Sequence, residues 1–118
     1  MWLFTSNSFV SIVGDDKHPH KGDLLVRARF EGDIEELFPQ AKVFAKTPSD
    51  YKYRAWVSRA EVEIAVANYI DNIDYDNFKN SVADDNRHDD YVGVWQVMYQ
   101  SQKRSSMSQL NDRFRFIK

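Results

Sequence analysis

Two stretches of the chain alternate strictly between apolar and polar positions. Leu24, Val26, Ala28 and Phe30 interleave with Leu25, Arg27 and Arg29, and Tyr51, Tyr53, Ala55 and Val57 interleave with Lys52, Arg54 and Trp56. A period of two is that of a strand with one face on a core and one in water, so the arginines are expected to point outward. Trp2 to Phe4 and Phe9 to Val13 also read as β structure, either as two strands or as one interrupted at Thr5 to Ser8. Lys42 to Lys46 is expected to pair with the Tyr51 to Val57 strand as a hairpin around Pro48.

Elsewhere the period changes to three and four. Asp33 followed by Glu36 reads as an N-cap with its reciprocal partner, opening a short helix through Ile34, Leu37 and Phe38 that Pro39 helps to end. Ser58 and Glu61 form a second capping box, ahead of a stripe of Val62, Ala65, Val66, Tyr69, Ile70 and Ile73 that is expected to be core. Phe78 and Val82 suggest one docked helical turn, and a further amphipathic helix is expected from near Arg87 or Asp89, carrying Tyr91, Val92, Trp95, Met98 and Tyr99 down one face. The alternation in Arg113-Phe-Arg-Phe-Ile117 fits a late strand, an oligomerisation arm or a frayed end equally well. The pattern predicts an α+β fold: a mostly antiparallel sheet of four or five strands with helices on one face, for which a ferredoxin-like arrangement is one topology. The expected organisation is a single domain over residues 1 to 102 and a basic tail over 103 to 118.

Composition narrows the chemistry. At 118 residues with 42% hydrophobic and 14% aromatic content the chain can bury one core without staples. Cysteine is absent, which removes thiolate metal sites, disulfides and thiol nucleophiles and fits a reducing, cytoplasmic setting. The opening residues lack a signal-peptide pattern and no apolar run reaches membrane-spanning length, so no membrane association is expected. The net charge of -2 conceals a segregation: residues 61 to 91 carry two Lys/Arg and nine Asp/Glu, whereas residues 92 to 118 carry five and one. Opposite blocks of this kind attract each other within one molecule or between copies.

Two clusters carry chemistry. If the two alternating strands share a sheet, Arg27, Arg29, Lys52 and Arg54 gather on its outer face beside Trp56, a set able to grip phosphates and stack a base or a ring, as flat-sheet nucleic-acid binders do. Outward lysine and arginine on strands also serve simply to discourage edge pairing. The second cluster is Asp84 to Asp90, in which Asp85, His88 and Asp89 offer oxygens and an imidazole for a divalent cation, although helix capping accounts for the same acids. His18-Pro-His20 is a weaker pair of metal ligands. With four glycines, no phosphate-loop or dinucleotide fingerprint can be written, and no Gly-x-Ser-x-Gly occurs, so no cofactor is expected.

The stretches Met-Trp-Leu-Phe-Thr-Ser, Phe9-Val-Ser-Ile-Val13, Leu25-Val-Arg-Ala-Arg29, Asp50-Tyr-Lys-Tyr-Arg54 and Asn77-Phe-Lys-Asn-Ser-Val82 through Arg87-His-Asp-Asp-Tyr-Val-Gly-Val-Trp95 resemble a family of short uncharacterised proteins of bacteria and their phages. The resemblance covers about residues 1 to 100 and brings no activity or catalytic residue with it. A phage setting implies a small protein that blocks a host defence nucleoprotein, such as a CRISPR complex, by binding it.

The reading that results is a non-enzymatic binding protein acting by occupancy, through Arg27, Arg29, Lys52, Arg54 and Trp56 or through the Asp84 to Tyr91 edge. Its partner is expected to be a protein or nucleoprotein complex, with nucleic acid itself a further option and self-association through residues 103 to 118 another. The alternatives are a metal-assisted nuclease or phosphodiesterase using Asp85, His88 and Asp89, and a nucleotide-binding sensor or sponge. Alanine at Arg27 or Arg54 is expected to weaken binding with little change in stability, as exposed positions usually behave.

Overall fold

The computed structural model describes residues 1–14 and 22–115, and the side chains of these up to Leu110; the His18 and His20 pair lies outside them. The chain forms two compact units, Met1–Asp76 and Asn77–Lys118. One helix, Asp85–Arg115, runs without a break through residue 103.

The first unit is α+β. Strands β1 (Trp2–Thr5), β2 (Ser8–Val13), β3 (Asp23–Ala28), β4 (Phe44–Ala45) and β5 (Tyr53–Ser58) form one sheet in the order β1-β2-β3-β5-β4. Every adjacent pair is antiparallel. A ferredoxin-like topology needs parallel neighbours and is not adopted; β1, β2, β3 and β5 form a meander with β4 closing the edge. The opening β segments are two strands turned at Ser6 and Asn7, not one interrupted strand.

Helices α1 (Asp33–Leu37) and α2 (Arg59–Asp71) cover one face. There Val10, Ile12, Val26, Ala28, Ala55 and Val57 pack with Ile34, Leu37 and Phe38 from the α1 region and Val62 from α2. Alternation thus places the residues that the pattern assigned to the core, with Phe30 as an exception: β3 ends at Ala28 and Phe30 is 53% exposed.

Two capping expectations part company. Ser58 caps α2, its hydroxyl accepting from the Glu61 amide at 3.2 Å. Asp33 does not cap α1, whose N-cap is Gly32 in a left-handed conformation with φ 94°. The Asp33 side chain is instead buried and accepts from the Phe9 amide at 3.0 Å, tying α1 to β2. On α2 the core stripe stops early. Ala65, Val66 and Tyr69 pack on the core, but Ile70 in the last turn of α2 and Ile73 beyond its end are 61% and 52% exposed.

Tyr69 is half-buried, and burial pushes its phenol above the ordinary value near 10; the Glu36 carboxylate adds to the rise and a hydrogen bond with Thr5 opposes it. The unfolded chain therefore loses this proton first, so the stability Tyr69 confers is complete below pH 10 and declines as pH rises further. Tyr69→Phe is expected to flatten the fall in melting temperature between about pH 9 and about pH 11. An unchanged alkaline slope would show that this phenol ionises alike in both states.

The second unit is a 3-10 turn, Lys79–Ser81, followed by α3 (Asp85–Arg115). Asp84 caps α3, its carboxylate accepting from the Arg87 amide at 2.8 Å while its carbonyl accepts from His88. Phe78 stacks on Tyr91 with centroids 5.7 Å apart, which seats the turn on the first part of the helix. Residues 103 to 115 are helical, so the late strand does not form over them. Gln102, Lys103, Arg104, Met107, Gln109 and Leu110 are good helix formers, and extension of an existing helix is far easier than a new start. Residues 116 to 118 lie outside the described part.

Candidate functional site: a basic and aromatic sheet face

The face of the sheet away from α1 and α2 is built row by row by the strand register. One row crosses all five strands: Trp2 opposite Ser11, Ser11 opposite Arg27, Arg27 opposite Arg54, and Arg54 opposite Phe44. The next runs Val13, Leu25, Trp56. Arg27, Arg54 and Trp56 therefore do share one face, as their alternation requires. The ladder continues past β4 through the Lys46 amide, which donates to the Lys52 carbonyl at 2.8 Å and sets Lys46 across from Lys52.

Guanidinium groups directly across a ladder repel, and something has to offset that repulsion. Here it is the segment Ser49 to Tyr51. The Arg27 and Arg29 guanidinium carbons lie 4.6 and 4.2 Å from the centroid of the Tyr51 ring, within cation–π range. Arg29 Nη1 donates to the Asp50 carbonyl at 2.8 Å. Arg54 donates from Nε to the Tyr51 carbonyl at 3.2 Å and from Nη2 to Ser49 Oγ at 2.8 Å, and the Asp50 carboxylate stands 4.0 Å from Nη2. Arg27 Nη2 donates to Ser11 Oγ at 2.8 Å, while its Nε is buried and meets no acceptor among the described residues.

The face is consequently not the open, wet surface that alternation alone suggests. Leu25 and Ser11 are buried on it at 7% and 1% exposure, between bulky neighbours in their own rows. The Arg54 side chain is 13% exposed, with Nε and Nη2 both donating to the Ser49 to Tyr51 segment. Arg27 and Arg54 are structural as well as basic, and the expectation that alanine there leaves stability untouched is withdrawn. What remains accessible is the rim: Arg29, Lys46 and Lys52 are exposed, with Phe44 at 44% and Trp56 half-buried.

Comparison with protein-family models, with curated proteins and with solved structures matches nothing. The resemblance to short phage and bacterial proteins therefore assigns no residue a role, and the site rests on its own geometry.

The acidic cluster behaves differently. Asp85, His88 and Asp89 occupy the first two turns of α3, where His88 Nδ1 is 3.6 Å from Asp89 Oδ1. Among the described residues no three histidine, aspartate or glutamate side chains converge as a metal would require. Asp84, beside them, is engaged as the cap. No described helix is long and apolar enough to cross a membrane.

Sequence reasoning missed Tyr51, Lys46 and Phe44. Tyr51 was counted into the alternation of β5 and assigned to the core; β5 begins at Tyr53, and Tyr51 is buried at 4% exposure beneath the two arginines. The available signal was Ser49-Asp50, a turn-forming pair that interrupts strand periodicity just before it.

Proposed function

We propose that this protein is a non-enzymatic binding module whose basic rim, Arg29, Lys46 and Lys52 with Phe44, docks on an acidic surface of a protein or nucleoprotein and acts by occupying it. The observation that carries this reading is the β3–β5 register, which makes Arg27 and Arg54 direct neighbours and braces them on Tyr51. Adjacent like charges weaken a sheet, so a sheet that concentrates them and then spends a buried tyrosine and two further loop residues on holding them has a use for the field they create. Among the described residues the Asp50 carboxylate approaches this group, 4.0 Å from Arg54 Nη2. Fixed cations around an exposed ring favour an acidic partner by steering and by charge-assisted hydrogen bonds.

The test uses exposed residues only. Arg29→Glu with Lys52→Glu should leave the melting temperature within a few degrees while reducing retention of the cytoplasmic partner captured by the wild-type chain by at least about tenfold. Retention should also weaken as salt is raised, since the attraction is screened within about 10 Å at 0.1 M. A stable double variant that captures the same partner undiminished removes this rim as the binding surface.

A further inference from the structure

Between Val94 and Leu110 every residue of α3 is exposed apart from Ser101, which is half-buried. That stretch includes Trp95 at 48%, Met98 at 64%, Val97 at 60% and Tyr99 at 43% exposure. Apolar surface in this concentration marks a contact face, since isolated helices are marginal in water and draw their stability from packing. Four features indicate what covers it.

The first is charge. Asp84, Asp85, Asp89 and Asp90 stand at the start of the helix, Lys103 and Arg104 follow further along, and residues 92 to 118 carry five basic residues against one acid. A helix acidic at one end and basic beyond its middle complements a reversed copy of itself. Dipoles of antiparallel helices favour the same arrangement. The second is shape. Along one face Val94, Trp95, Met98 and Tyr99 give way to Ser101 and Ser105, and a hollow opens among Trp95, Met98, Tyr99, Ser101, Gln102 and Ser105. Bulky residues then small ones is a self-complementary sequence under reversal. The third is order. Trp95 and Tyr99 stack at 5.2 Å and 16°, with Lys79 Nζ 5.0 Å from the Trp95 ring and Lys103 Nζ 4.5 Å from the Tyr99 ring. Rings already held in one arrangement lose less freedom on association. The fourth is symmetry: a two-fold contact places one patch against itself, which is what opposed gradients of charge and size permit.

We infer that α3 is the seat of an antiparallel homodimer, with the two-fold axis passing near Val97 and Met98. Trp95 of each chain lies over Ser101 to Ser105 of the second copy. Asp90, on the flank of the stripe formed by Val94, Met98, Ser101 and Ser105, stands beside Arg104 of that copy. The interface uses the middle of α3 rather than the segment after residue 103 alone, and it is independent of the basic rim.

Sedimentation equilibrium of the full chain tests this. The wild type should give the mass of two chains, and Met98→Glu, which preserves helix propensity, should weaken association by at least about tenfold with unchanged helical circular dichroism. Two charge reversals provide the decisive arm: Asp90→Lys and Arg104→Glu. Each should self-associate at least about tenfold more weakly than the wild type, and an equimolar mixture of the two should recover the two-chain mass, because both contacts across an antiparallel axis are then attractive. A single-chain mass for the wild type overturns the inference. So does a dimer indifferent to Met98→Glu, or a mixture that fails to recover.

Discussion

Tyr51→Ala is expected to lower the melting temperature by about 10 to 20 °C, from a loss of about 3 kcal/mol or more for truncating a buried aromatic. Tyr51 is 4% exposed, so the substitution leaves a cavity. It also deprives Arg27 and Arg29 of the ring both lie against, at 4.6 and 4.2 Å. The Arg27 guanidinium then faces Arg54 with less to offset their repulsion. Tyr51→Phe separates these contributions, because it keeps the ring and its stacking. It should melt within a few degrees of the wild type. Thermal circular dichroism of the pair, repeated in high salt, gives the check: repulsion among arginines is screened by salt, so part of the alanine deficit should close. If alanine and phenylalanine melt together, Tyr51 does not brace the basic face.

Asp33→Ala comes next in size, with an expected cost of about 2 to 4 kcal/mol. The Asp33 carboxylate is 4% exposed and accepts from the Phe9 amide at 3.0 Å, outside any helix cap. Its removal strands a part-buried donor of β2, and an unpaired amide with limited access to water carries a desolvation penalty. Asp33→Asn keeps an acceptor oxygen without the charge and should recover much of the loss, whereas at a capping position alanine would cost only about 1 kcal/mol. Denaturant unfolding of the two variants distinguishes these outcomes, and a loss near the capping figure would mean that the tie to β2 contributes little.

Residues 24 to 30 and 51 to 57 show how far local pattern reaches. Side chains on successive strand residues must point to opposite sides, so Val26 and Ala28 share a face and Arg27 takes the other, whatever the partner strand. The capping box at Ser58 and Glu61 is likewise a matter of covalent spacing, and it holds. Asp33 and Glu36 have the same spacing and do not form the box. The part-buried Phe9 amide of β2, 24 residues away in sequence, competes for the carboxylate and wins it. Nothing within a few residues of Asp33 announces that competitor.

Exposure was legible only where a face had a partner. The stripe on α2 is core as far as Tyr69 and exposed at Ile70 and Ile73, and the same amphipathic pattern on α3 is exposed from Val94 onward. Periodicity says which side chains share a side of a helix; it carries no information on whether another element lies against that side.

Chain chemistry alone therefore determined the strand faces, the start of α2, the absence of thiol chemistry and the opposed charges of the later residues, because these depend on dihedral geometry and residue type. Tertiary structure decided that Arg27 and Arg54 are neighbours, that Tyr51 lies beneath the arginines, and that Asp33 serves a strand. Each of these depends on which distant group arrives first at a donor, a ring or a charge, and that is settled by packing in three dimensions.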